Sequence, residues 1–288
     1  MLGKGSSTWL ITGASSGIGK ALALEALCIG CKVIGTTRDV GRAETSFPEF
    51  SVKGGIWKEL DPGHNDSFAH FSSCCREYDV DVLVNNAAYA FIGGVEDTSE
   101  NEVREQMEVN FYGPLRAVKA CLPTMRAKKS GNIVLISSAA GFISRPARGT
   151  YSASKFAIEA IHESLAQEVQ SFGIKVLIVE PGAFRTPFSS RIITPAQYAS
   201  KGGLSDVYKG TVVDQMLSGT RDMMSIPDFV KGDPDKAASA IVNAVRNGHE
   251  YLRMPLGSDS VRALESKLGS LKKDLEATRS IANSTNVD

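Results

Sequence analysis

Short runs of consecutive apolar residues return along this chain at intervals too wide for hairpins and wide enough for helices. Val33-Ile34, Val82-Leu83-Val84, Ile133-Val134-Leu135-Ile136 and Val176-Leu177-Ile178-Val179 are apolar at adjacent positions. A strand built from such a run must be covered on both faces, whereas a half-exposed antiparallel strand would alternate. Strands are expected at residues 8–12, 32–37, 55–60, 81–85, 132–137, 174–180 and 250–254. Segments of helical period fill the intervals at 17–30, 66–78, 99–128, 151–172 and 234–247. Repeated β-α-β units with right-handed crossovers give an α/β fold, a doubly wound parallel sheet in three layers. Ligands of such a sheet lie at the carboxyl ends of its strands, so function must be sought there.

No internal repeat and no Pro/Gly/Ser linker divides the 288 residues, which predicts one domain over 1–288. Residues 184–231 fall between a strand and a helix and are too long for a simple connection. They are expected to form a lid or substrate-loop insertion, with Gly202-Gly203 and Gly210 as hinge points. Past the alternating core, Val261, Leu264, Leu268, Leu271 and Leu275 recur by three and four residues, which predicts an amphipathic helix over 258–282. Two heptads are short for a coiled coil, so packing on the chain's own body or on a neighbouring subunit is expected.

Charge excludes some classes of partner. Lys plus Arg (32) equals Asp plus Glu (32), leaving no net field to draw nucleic acid or an anionic membrane. The apolar run Trp9 to Ile11 is too short for a secretory signal, and no stretch approaches a membrane span. A cytoplasmic protein is expected. Five cysteines, an odd count, read as reduced thiols, and Cys28-x-x-Cys31 as packing residues rather than a redox pair.

The first strand runs into Thr12-Gly13-Ala14-Ser15-Ser16-Gly17-Ile18-Gly19 and then the apolar Ala21-Leu22-Ala23-Leu24. Strand, glycine turn and helix start follow in the order that a phosphate-binding site requires. Gly13 permits a tight turn, Gly17 lets backbone approach a pyrophosphate, and Gly19 allows close packing of helix on sheet. Unpaired N–H groups at the helix start attract the anion.

Four later positions extend this pattern. They are Asn85-Asn86-Ala87-Ala88 closing the fourth strand, Asn110 in Val109-Asn110-Phe111, Ser138 in Ser137-Ser138-Ala139-Ala140-Gly141, and Tyr151-Ser152-Ala153-Ser154-Lys155. Pro181-Gly182-Ala183-Phe184-Arg185-Thr186 follows the sixth strand. With the G-x-x-x-G-x-G turn, this order resembles the short-chain dehydrogenase/reductase superfamily, single-domain type with a Tyr-x-x-x-Lys active site, over roughly residues 8 to 190. Ala88 departs from the glycine usual there. The resemblance implies a Rossmann fold and catalytic roles for Asn110, Ser138, Tyr151 and Lys155. It also implies cofactor contacts at Gly13, Ser15, Ser16, Gly17, Ile18, Gly19, Asp61, Asn86, Ala87, Tyr151, Lys155, Pro181, Gly182 and Thr186.

The residue types suit hydride-transfer chemistry. Tyr151 and Lys155 are four apart at a helix start, so both project from one face. A free phenol of pKa ~10 is a poor acid at neutral pH, and a nearby ammonium stabilises its ionised form. Tyr151 would protonate a developing alkoxide while Ser138 holds the substrate oxygen. By resemblance, Lys155 also binds the nicotinamide ribose and Asn110 positions a water linking Lys155 to solvent. Ser137 is the rival of Ser138. A serine hydrolase would need a G-x-S-x-G elbow and a partnered histidine, which the sequence lacks, and His64, His70, His162 and His249 show no metal-ligand spacing.

Arg38 follows the second strand where an NAD enzyme usually places an acid, which favours NADP (NADPH) over NAD, although Asp39 stands beside it. The expected reaction is NADPH-dependent reduction of a ketone or aldehyde. Phe184, Phe188, Ile192, Ile193, Tyr198, Tyr208, Met216, Met223, Met224, Ile226 and Phe229 in the insertion suit a small, apolar substrate, or simply anchor the loop. By resemblance, helices around Asn110 and Tyr151 pair across a two-fold axis, giving a homodimer or homotetramer. The alternatives are an NAD-dependent alcohol or hydroxysteroid dehydrogenase and a non-catalytic dinucleotide sensor.

Overall fold

A computed structural model describes residues 7–225 and 230–287. Seven parallel strands form one sheet in the order β3-β2-β1-β4-β5-β6-β7. They are β1 (Thr8–Ile11), β2 (Lys32–Thr37), β3 (Ile56–Glu59), β4 (Val82–Asn85), β5 (Gly131–Ile136), β6 (Ile174–Pro181) and β7 (Arg253–Leu256). The order reverses between β1 and β4, so the crevice at their carboxyl ends is the switch point of a doubly wound fold. The helices are α1 (Gly17–Cys28), α2 (Val40–Ser46), α3 (Pro48–Val52), α4 (Ser67–Tyr78) and α5 (Glu100–Met107), then α6 (Gly113–Lys128), α7 (Gly149–Glu168), α8 (Val212–Ser225), α9 (Pro234–Asn247) and α10 (Ser258–Asn283).

The central strands are buried on both faces, as their unbroken apolar runs require. One face packs Trp9, Ile11, Val33, Val84, Val134 and Val179 against α1 and α9. The other packs Leu10, Leu83, Ile133 and Val176 against α4, α6 and α7. Alternate residues of one strand thus enter different layers, the period-two consequence of a pleated chain.

Three expectations are corrected. The helix foreseen over 99–128 is broken by a π turn at Glu108–Tyr112, with α6 restarting at Gly113 and Pro114. Pro114 has no N–H to give the Asn110 carbonyl, so one bond of a regular α-helix is missing there. Helices α2 and α3 were not foreseen. Asp39 caps α2 by accepting from the Arg42 N–H at 2.8 Å, and α3 is held by Phe50 against Trp57, ring centroids 4.3 Å apart. Finally, β7 lies later than residues 250–254 because it takes in Pro255, which the sheet edge tolerates.

The insertion is folded. It carries 3-10 turns at Ser189–Arg191, Ala196–Lys201 and Asp206–Tyr208, followed by α8. Gly202, Gly203 and Gly210 all take positive φ, the conformation that glycine permits at least cost. Helix α10 matches the amphipathic helix expected over 258–282 to within a residue. No helix among the described residues is long and apolar enough to cross a membrane.

Candidate active site

The phosphate-binding turn is built by cross-strand hydrogen bonds. Thr12 Oγ1 donates to the Val84 carbonyl and accepts from the N–H groups of Asn86 and Ala87, both at 2.9 Å. Asn86 Nδ2 donates back to the carbonyls of Thr12 at 2.9 Å and Gly13 at 3.1 Å. Asn86 and Ala87 therefore hold the turn from the adjacent strand, and Thr12, which sequence reasoning passed over, is the hub. Gly13 and Gly17 have φ of +65° and +57°. A Cβ on Gly19 would lie 2.4 Å from Asn86 Nδ2 and 2.6 Å from the Gly13 carbonyl, so α1 can approach the sheet only with glycine there.

The turn fits a dinucleotide pyrophosphate. Ser16 precedes α1 without a side-chain capping bond, so the first N–H groups of the helix keep no internal acceptor. Ser15 and Ile18 are half-buried along the same turn. Thr186 lies over Gly17, its Cβ 3.3 Å from where a Gly17 Cβ would be. Arg191 donates to Ser16 Oγ at 3.1 Å, so the insertion meets the turn directly. Gly182, after Pro181, donates its N–H to the Leu256 carbonyl at 2.9 Å, and the Ala183 N–H is held by Asp259 at 2.7 Å.

Tyr151, in the first turn of α7, is 4% exposed. Burial pushes its phenol above the ordinary range, while a hydrogen bond with Ser138 and the positive charge of Arg148 act to lower it. Ser138 Oγ also accepts from the Ala140 N–H at 3.1 Å. The two adjacent serines are separated by this geometry. Ser138 meets Tyr151, and Ser137 Oγ donates instead to Glu159. Lys155 is buried one turn along α7, and burial brings its ammonium down to about 8, opposed by the Glu159 charge. Its Nζ donates to the Ile136 carbonyl at 2.9 Å and stands 6.0 Å from the centre of the Tyr151 ring. Lys155 is the cation that the sequence points to beside the phenol, and Arg148 is a second one that the sequence does not single out.

Asn110 sits in the π turn and is buried. Its Nδ2 donates to the Tyr89 carbonyl at 3.0 Å and to Ser154 Oγ at 3.1 Å, and its Oδ1 accepts from the Tyr89 N–H at 3.2 Å. It thereby ties the segment after β4 to α7 beside Lys155.

Behind these groups lies an ionic cluster built on two buried carboxylates, Glu159 and Glu180. Arg253 on β7 donates to Glu159, to Glu180 Oε1 at 2.6 Å and to Glu163 Oε2 at 3.0 Å. Burial and the Glu159 charge raise the Glu180 carboxyl to about 7 despite Arg253. Glu159 is four residues beyond Lys155, a spacing that could have flagged it from sequence. Arg253 is far away in the chain, and no sequence signal marked it.

At the far end of β2, Arg38 is exposed and carries no ion pair among the described residues. Asp39 next to it is engaged as the α2 cap. Asp61 accepts from the Gly63 N–H at 2.9 Å, the role of a turn residue.

The insertion covers the tyrosine. The Phe188 ring is 6.1 Å from that of Tyr151, and Ile192 packs on the buried group Ala90, Ala140 and Tyr151. Ile192 also joins Tyr208 and Met216 against Ile92, Ala147, Leu204 and Leu217. Tyr208 and Met216 thus anchor the segment, and Tyr208 donates to Glu96 at 2.9 Å. Phe184 bridges to Gly232, and Ile193 pairs with Phe91 but stays 49% exposed. Tyr198 is half-buried in the second 3-10 turn. Ile226 and Phe229 lie outside the described residues, as do the side chains of Met223 and Met224.

The family model described as short chain dehydrogenase matches residues 7–196. Oxidoreductase claN of Passalora fulva is 44% identical over 213 residues, covering 74% of this chain and 94% of the relative. Retinol dehydrogenase 8 of Homo sapiens is 34% identical over 252 residues, covering 85% of this chain and 80% of the relative. A short-chain dehydrogenase structure from Streptomyces avermitilis superposes with a TM-score of 0.84 at 36% identity, covering 98% of this chain and all of that one.

Proposed function

Because this chain belongs to the short-chain dehydrogenase/reductase superfamily of NAD(P)-dependent oxidoreductases acting on CH–OH and C=O groups, we propose that it reduces the carbonyl of an apolar small molecule with NADPH, Tyr151 delivering the proton. The observation that carries this reading is the buried Tyr151, facing the half-buried Ser138 and roofed by Phe188 and Ile192. A phenol and a hydroxyl converge on one point, under an apolar cover that excludes water and strengthens their polar interactions.

The dinucleotide, when bound, supplies the hydride that reaches the carbonyl carbon. Its pyrophosphate would rest on Gly13, Ser15, Ser16, Gly17, Ile18 and Gly19, with Asn86, Ala87, Pro181, Gly182 and Thr186 along its length. Ser138 holds the substrate oxygen by a hydrogen bond. Tyr151 gives that oxygen its phenolic proton as negative charge develops there. Lys155 carries positive charge within the same buried region and, with Asn110, leads the replacement proton in from solvent.

The NADP preference rests on Arg38 and Asp39. Asp39 is committed to capping α2, which leaves Arg38 as the ionic side chain free to meet a 2′-phosphate. Asp61 flanks the adenine side. The substrate class rests on Phe188 and Ile192, and the name of the retinol dehydrogenase relative agrees with an apolar ligand. The segment 184–231 is the substrate loop of a single domain, and the protein works in the cytoplasm as a homodimer or homotetramer.

The test is NADPH consumption against a panel of apolar ketones and aldehydes, with Tyr151→Phe beside the unaltered enzyme. A loss of about 10²–10⁴-fold in kcat with cofactor affinity unchanged is expected. If the unaltered protein binds NADPH and turns over nothing, it is a sensor. If it oxidises alcohols with NAD far faster than it reduces carbonyls with NADPH, it is a dehydrogenase of the opposite direction.

A further inference from the structure

Helix α10 carries an apolar seam that its own body does not cover. Ser260 and Ala263 are buried at its base, but Leu268, Leu271 and Leu275 are 57%, 49% and 53% exposed. Together with Val261 and Leu264 they follow the alternating three and four spacing of a two-helix coiled coil. The helix is 26 residues long and already formed on the body, so pairing would not carry the nucleation cost that a free peptide bears.

We propose that α10 pairs with α10 of a second copy of this chain, antiparallel and centred between Gly269 and Ser270. Charge pattern decides both the occupant and the orientation. With Val261 at position a, the seam is flanked by Glu265 and Lys272 at e and by Lys267 and Asp274 at g. In the antiparallel register that sets Leu268 against Leu271 and Leu264 against Leu275, each e faces an e and each g a g. Glu265 of one copy then meets Lys272 of the other, Lys267 meets Asp274, and the two-fold axis repeats both contacts.

Competing arrangements meet like charges. Sliding by one heptad toward the N-terminus sets Glu265 against Glu265 and Lys267 against Lys267. Sliding the other way opposes Lys272 to Lys272 and Asp274 to Asp274 at its centre, with Glu265 and Arg279 of opposite sign at its ends. A parallel pair puts each g beside the next e, so Lys267 falls on Lys272 at the middle of the seam, and only Asp274 with Arg279 beyond it is of opposite sign. Exposed ion pairs contribute little energy each, yet their sign selects orientation and register, while the leucine layers bury the apolar surface.

The experiment uses the full chain. Copies carrying Leu268→Cys are mixed with copies carrying Leu271→Cys under mild oxidation, alongside each alone. The antiparallel register predicts a covalent dimer that forms much faster from the mixture than from either variant alone. Faster self-linking of each single variant would show parallel pairing, and linking no faster than in the unaltered chain would show that no second copy covers the seam. Either result overturns the proposal. In sedimentation equilibrium, Lys272→Glu should weaken association about tenfold and Glu265→Lys with Lys272→Glu should restore it. Tighter association of Lys272→Glu would likewise overturn it. All four positions lie on the outward part of α10, so turnover and the unfolding midpoint of the body serve as unchanged controls.

Discussion

Ser137 and Ser138 leave the end of β5 on opposite errands: Ser138 faces the Tyr151 phenol and acts to lower its pKa, and Ser137 donates to the buried Glu159 carboxylate. Adjacent residues of extended chain point to opposite faces, so one serine reaches the candidate site and the other the ionic cluster behind it. Ser138→Ala should lower kcat by about 10²–10³-fold with little change in unfolding midpoint. Ser137→Ala should do the reverse, costing about 1–3 kcal/mol because Glu159 loses a donor in a buried place. Steady-state rates and denaturant unfolding on both variants check the assignment, and equal kinetic losses would sink it.

Lys155 sets a pH limit. On the proposed mechanism its charged form is the useful one, and burial brings its pKa down to about 8. As pH rises through that value the ammonium is lost, so kcat/KM for carbonyl reduction should be level below about pH 8 and fall above it. In Lys155→Arg the guanidinium does not titrate there, and whatever activity remains should hold to higher pH. A limb that stays near pH 8 in the arginine variant would assign it to another group.

Arg38 and Asp39 separate cofactor choice from stability. Arg38→Ser should weaken NADPH binding by about 10–100-fold, the worth of a charge-assisted bond to phosphate, and leave NADH binding unchanged. Asp39→Ala should cost about 1 kcal/mol of stability through loss of the α2 cap without altering the preference. Titration of nucleotide fluorescence measures the first and thermal unfolding the second.

Arg253 faces two carboxylates whose side chains are 3% and 0% exposed, Glu159 and Glu180. Arg253→Leu would strand both and should destabilise the fold by about 3–5 kcal/mol at alkaline pH. The sign of its pH dependence follows from the carboxyls. Without the cation the folded pKa of Glu180, already raised to about 7, rises further, so the loss is full at high pH and shrinks as pH falls toward about 7 and that carboxyl takes up its proton. Unfolding free energies at pH 8 and pH 5 test this, and a loss independent of pH would show that Arg253 acts through packing alone.

How far the sequence reached can be judged from particular residues. Local chemistry was legible wherever a few neighbouring positions decided it. The doubled runs Val82-Leu83-Val84 and Ile133 to Ile136 meant strands covered on both faces, the glycines of residues 13–19 meant a turn into α1, and the spacing of Tyr151 and Lys155 meant one helical face. Helices α2 and α3 stayed hidden because Phe47 at their junction and Phe50 within α3 are fixed by packing on Trp57, a contact remote from local pattern.

The sequence by itself determined the order of the strands and of the main crossover helices, the phosphate turn and the set of polar groups available for chemistry, because backbone periodicity and φ preferences act over a few residues. Only the tertiary structure decided which serine meets Tyr151, that Thr12 and Asn86 brace the glycine turn, that Arg253 neutralises carboxylates some 90 and 70 positions away, and that Phe188 and Ile192 close over the tyrosine. Those contacts depend on crossover packing and on burial, which join residues remote in the chain and set their charges by exclusion of water.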